Sequence, residues 1–231
     1  MAHSSKTTNK MFSHLDQAYQ DRWAYLGESG GRYNGAYYYS KEIVENIIPR
    51  VKTDRPWVTV NVPGHCFDHA IVFIHKNTHL EAYDWLRSYK DLVLVCSTPS
   101  TYNGMEPYGE HIVFLPLSVD VDYVKQFAVP EKTEDNAYCG NLWAFKIPDL
   151  KGYLPKDTDI FTNMPREELL KKIAPYKNVY AIGRCAIEAK ILGCNVKVCD
   201  QRYRDPSFWK IVDNKDAAKM LQEELNLIEG R

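Results

Sequence analysis

Val179-Tyr-Ala-Ile182, Gly183-Arg184-Cys185-Ala186-Ile187-Glu188-Ala189-Lys190-Ile191-Leu192 and Gly193-Cys194-Asn195-Val196-Lys197-Val198-Cys199 read as strand, helix and strand. A short apolar run stops at a glycine, and a helical pattern from Cys185 to Leu192 closes at Gly193. A second short run then covers Val196 to Cys199. Two strands joined through a helix in so few residues are parallel, so this stretch predicts an α/β fold built on parallel sheet. It also predicts chemistry. The first amides of a helix have no intrahelical acceptor and carry partial positive charge, which suits a phosphate group. Arg184 adds a charge-assisted contact there, and Glu188 offers a carboxylate to ribose hydroxyls. An ordinary strand-helix-strand unit, with Glu188 offsetting the dipole of its own helix, accounts for the same residues.

Outward from this segment the same alternation continues in both directions. Trp57 to Val62, Ala70 to Ile74, Leu92 to Cys96 and His111 to Leu115 read as strands. Leu80, Tyr83 and Leu86 mark a helical face between two of them, and Val121, Val124 and Phe127 mark a short helix after the last. The polar stretch 128–136 with Pro130 reads as a linker. Beyond it, Ala137 to Lys146 and Thr158 to Thr162 are predicted strands. A helix from Arg166 to Ala174 opens after Asn163 and Pro165, with acids in its first turn and lysines in its last. A final helix runs from about Lys215 to Leu227 with Asn214 as its cap. Near the start, Ile43, Val44, Ile47 and Ile48 give an apolar stripe to a helix predicted over 32–48. The expectation is an α/β protein of two lobes with mostly parallel sheets, residues 1–129 and 130–231.

Composition narrows the function. The chain has 231 residues, 45% hydrophobic and 26% charged, enough to bury a core. Lys and Arg number 29 against 30 Asp and Glu, a net charge of −1, which argues against a protein held to nucleic acid by phosphate neutralisation. No apolar run reaches the roughly 18 residues of a membrane span, and Met1 to Lys10 lack the apolar core of a secretion signal, so a cytoplasmic protein is expected. The six cysteines at 66, 96, 139, 185, 194 and 199 form no Cys-x-x-Cys pair and sit mostly in apolar runs. They read as reduced, buried thiols. Ile228-Glu229-Gly230-Arg231 spells a protease tag site and is left out of the fold expectation.

Other constellations carry less. His65 with His69, and His75 with His79, are four apart, a metal spacing only on a helix that neither pair is assured, so no metal is expected. Cys185 beside Arg184 at a helix start has the setting of a lowered thiol pKa but no accompanying base, and a structural cysteine is the favoured reading. The tyrosines at 33 and 37–39 suit stacking on a sugar or base, or one packed helix face.

The segment Gly183-Arg-x-Ala-Ile-Glu188 to Val196 resembles the donor-site signature of GT-B glycosyltransferases, above all the retaining group 1, family 4-like enzymes. Gly30-Gly31 ahead of a helix resembles the N-terminal glycine turn of that family. Ile74-His75, Asp91 to Ser97 and Ile112 to Asp120 follow the order of its acceptor-side blocks. Tyr138-Cys-Gly-Asn141 through Lys146 resembles the first strand and basic loop of its donor-side lobe, and Phe208 onward its ending. The resemblance implies two Rossmann-like lobes with a cleft between them, the acceptor-side lobe N-terminal and the donor-nucleotide lobe C-terminal. It implies a small transferase moving a sugar from a nucleoside-diphosphate sugar to an unidentified acceptor, with retention at the anomeric carbon and no metal or other cofactor.

In that reading Glu188 holds the ribose, the amides of Arg184, Cys185 and Ala186 meet the diphosphate, and Gly183, Gly30, Gly31 and Asn141 belong to the donor-binding site. Lys146 neutralises the leaving phosphate, with Lys151 as the candidate for its usual basic partner, and His75 faces the transferred sugar. Tyr180 stands where the family commonly has a second acid. That departure keeps a second reading open, a catalytically degenerate nucleotide-sugar binding or assembly module.

Overall fold

The computed structural model describes residues 35–59, 66–74, 80–140, 154–162, 164–197 and 208–230. Among the described residues the chain is α/β, with two four-stranded sheets whose strands all pair in parallel. It divides into two compact units. The described parts of the first lie in Tyr39–Pro116 and Lys215–Arg231, and those of the second in Leu117–Asn214 together with residues 35–38. Among the described residues no helix is long and apolar enough to cross a membrane.

In the first unit, β1 (Trp57–Thr59), β2 (Ile71–Ile74), β3 (Val93–Cys96) and β4 (His111–Phe114) stand side by side in chain order. β2 and β3 are buried at every position, as their unbroken apolar runs require of central parallel strands. β4 is an edge strand, and its Phe114 is exposed.

The helical face at Leu80, Tyr83 and Leu86 belongs to a 3₁₀ helix over Leu80–Ser88, not an α-helix. A spacing of three suits a helix with three residues per turn, and Tyr83 and Leu86 are both buried. Helix α1 (Gly35–Glu42) gives way to a π turn over Ile43–Ile47 and a 3₁₀ turn over Ile48–Arg50. Pro49 has no N–H to donate back along the helix, so the regular ladder has to rearrange before it, and in doing so Ile43 and Ile47 both become buried. Between β3 and β4 lies α2 (Pro99–Gly104), with Thr98 as its cap accepting from the Thr101 amide at 3.2 Å.

His69 and Asp91, each two residues ahead of a strand, both have left-handed backbone, with φ of 60° and 50°. Their side chains meet in a 2.5 Å hydrogen bond between His69 Nδ1 and Asp91 Oδ2. Partial burial would raise the Asp91 pKa, but the hydrogen bonds and charges of His69 and Arg55 outweigh it and hold the carboxyl below its usual range.

In the second unit α3 (Val121–Lys125), capped by Asp120, precedes β5 (Glu134–Cys139), β6 (Thr158–Phe161), α4 (Arg166–Ile173), β7 (Tyr176–Tyr180), α5 (Gly183–Ile191) and β8 (Asn195–Lys197). The sheet order is β6-β5-β7-β8. Ala137, Val179 and Val196 share a row across it and join Leu170, Ile173, Ile187 and Ala189 in one core. The small residues Ala186 and Ala189 on the buried face of α5 let that helix lie close to the sheet.

Of the polar stretch 128–136, Glu134 to Asn136 are the exposed or half-buried start of β5. Lys132 within it sends its ammonium to the carbonyls of Ala174 and Leu192 at 2.5 and 2.7 Å. The five described cysteines are free thiols, and burial pushes Cys66 up to about 11 and Cys96 to about 12.

The last helix, α6 (Asn214–Ile228), returns to the first unit and buries Ala217, Ala218, Leu221 and Leu225 there. Asn214, expected as its cap, is its first residue, and its amide donates to the Val119 carbonyl at 3.1 Å. The tag-like end also belongs to the fold. Ile228 closes the helix, and Glu229 pairs with Arg55 at 3.3 Å, both side chains largely buried.

Candidate functional site

The order β6-β5-β7-β8 reverses direction between β5 and β7. In open parallel α/β sheets, ligands bind beyond the carboxyl ends of the strands at that reversal. Register pairs Tyr138 near the end of β5 with Tyr180 at the end of β7. The chain leaving β7 therefore turns at this point. Ala181 donates to the Lys197 carbonyl at 3.0 Å, Ile182 is extended, and Gly183 opens α5 with φ of +61°.

Only glycine enters that left-handed turn without a Cβ penalty. Gly183→Ala is therefore expected to lower stability by about 1–2 kcal/mol, read as a shift in urea midpoint with unchanged slope. Ile182, at the cap position of α5, offers no side-chain acceptor to the first amides, and such helix starts suit an outside anion.

Behind the turn, Glu188 is buried at 2% exposure. Its Oε1 accepts two charge-assisted hydrogen bonds, from Arg184 Nε and from Arg166 Nε, both at 2.8 Å. Among the described residues no donor meets Oε2. Arg184 Nη1 also donates to the Tyr38 carbonyl at 3.0 Å, and its guanidinium lies 5.5 Å over the Tyr38 ring. The Tyr38 hydroxyl accepts from the backbone N–H of Arg166 at 3.0 Å, acting as a cap on α4. The Arg166 guanidinium stands 5.0 Å over the ring of Tyr123.

The sequence-predicted residues Gly183, Arg184, Cys185, Ala186 and Glu188 are thus together on one turn and helix. Cys185 is half-buried, and Ala186 packs into the core. His75, Lys146, Gly30, Gly31, Asn141 and Lys151 lie outside the described residues. Tyr180 is half-buried at the end of β7.

Arg166 and Tyr38 were not singled out in the sequence for this place. A signal was present for Arg166. A cation in the first turn of a helix opposes the dipole, so Arg166 on α4 and Arg184 on α5 both need an anion, and Glu188 serves both, within its own helix for Arg184 and across helices for Arg166. No protein-family model matches the sequence, and a comparison with curated proteins finds no match.

Proposed function

We propose that the chain is a small cytoplasmic GT-B-type glycosyltransferase, its two α/β units being the acceptor and donor lobes. It would move a sugar from a nucleoside-diphosphate sugar to an acceptor without a metal. The observation that carries this reading is the Gly183 turn and the helix behind it, whose cap residue Ile182 offers no side-chain acceptor, set at the strand-order reversal between β5 and β7. The diphosphate meets the α5 amides, where partial positive charge needs no reorganisation to stabilise it. Glu188 receives ribose hydroxyls on Oε2 while its other oxygen stays clamped by the two arginines. Lys146 takes up the charge that develops on the leaving diphosphate, and His75 faces the transferred sugar.

The test is a melting series with UDP, GDP and ADP. One nucleotide is expected to raise the melting temperature, because a ligand at a hundredfold excess over its Kd stabilises by about 2.7 kcal/mol. No shift with any of the three removes the donor site. Tyr180, in place of an acid at the end of β7, favours a second reading, a binding module that has lost turnover. Donor hydrolysis separates the two: an enzyme hydrolyses its donor slowly and loses this with Lys146→Ala, whereas a module binds the donor and leaves it intact.

A further inference from the structure

We propose a second site, independent of the donor reading, for a zinc-like divalent cation at the leading edge of the first sheet. Its ligands are Asp91, Glu110 and His111. One donor atom from each of the three lies within 4.8 Å of the others.

Their placement follows from the fold. Asp91 precedes β3 and His111 begins β4, and the register that pairs Val93 with His111 brings these ends together. Gly109 fixes the approach, since a Cβ there would fall 2.7 Å from Leu94 Cγ, so the chain lies against β3 just before Glu110 and His111.

His111 Nε2 stands 3.7 Å from Asp91 Oδ1. That is too long for a hydrogen bond, but close to the ~3.4 Å that separates two donors on a tetrahedral zinc at ~2.0–2.1 Å from each. The other Asp91 oxygen is held by His69 Nδ1, an outer hydrogen bond of the kind that orients a ligating carboxylate.

Charge favours a dication as well. Asp91 and Glu110 carry two negative charges against the single positive charge of Arg55, and among the described residues Glu110 has no cation of its own. Arg55 Nη2 lies 3.2 Å from Asp91 Oδ2 and donates to Oδ1 at 3.3 Å, which leaves Oδ1 a further lone pair for the ion. A bound ion ties the starts of β3 and β4 together, and solvent completes its coordination, since Glu110 is exposed and His111 is 37% exposed.

Titration of the chelator-treated full chain with Zn²⁺, by calorimetry and by melting, tests this. One ion per chain is expected to bind and raise the melting temperature. Glu110→Gln and His111→Ala are each expected to weaken that binding at least tenfold while melting like the parent in the absence of metal. Absence of saturable binding up to about 100 μM, or binding that either variant leaves intact, overturns the site.

Discussion

Glu188→Ala is expected to lose about 3–5 kcal/mol of folding stability, which makes it the most damaging single change in the second unit. The carboxylate is buried and is the shared acceptor of Arg166 and Arg184. Truncation leaves two guanidiniums, 15% and 11% exposed, around a site that has lost its negative charge. Such a loss exceeds what the side chain's own packing contributes, because removing one partner of a buried ion pair strands the other.

Two further variants identify the cause. Glu188→Gln keeps the shape and one acceptor, and is expected to lose roughly half as much. A triple variant, Arg166→Met with Arg184→Met and Glu188→Leu, removes all three charges together. It is expected to recover part of the loss, since an apolar replacement of a whole buried triad often costs little. Equilibrium urea unfolding reads all three. A triple variant as unstable as Glu188→Ala would show that packing, not stranded charge, sets the effect.

Lys132→Met is the second large effect, with an expected loss of about 3 kcal/mol. The ammonium donates to the carbonyl of Ala174, just past α4, and of Leu192, just past α5, and stands 3.6 Å from Cys194 Sγ. One cation therefore satisfies the carboxyl ends of two helices whose dipoles both place partial negative charge there. Methionine keeps the apolar stem and removes only the donors. Lys132→Arg keeps the charge but has to fit a planar fork where a compact ammonium now sits, so it is expected to restore only part of the loss. Thermal unfolding of the two variants side by side checks both the size and the order of these effects.

Much of the architecture was legible in the apolar runs, because a central parallel strand has no polar face to interrupt it. Ile71–Ile74 and Val93–Cys96 are cases of this. The strand order was not legible, since it depends on which sheet edge the next strand joins. The β6-β5-β7-β8 reversal that frames the candidate site is a property of pairing alone. The start of β5 was hidden for another reason. Glu134 and Asp135 project from an exposed end of the sheet, so their polarity resembles that of a connection.

At the candidate site the turn at Gly183 and the helix behind it were readable from spacing. The arginine that completes the Glu188 cluster was not, because Arg166 lies 22 positions away and reaches Glu188 only once α4 and α5 pack.

The main segment of the second unit, Leu117–Asn214, leaves and rejoins the first as an insertion whose two ends are stitched together. Val119 pairs with Asp213 in an isolated parallel bridge, and its amide donates to the Val212 carbonyl at 3.1 Å. The helix carrying Leu221 and Leu225 emerges from the ribosome only after all of that insertion has been made. Vectorial synthesis therefore leaves the earlier-made sheet waiting for its last wall, and the nascent chain can complete its inserted half before the half that was translated first.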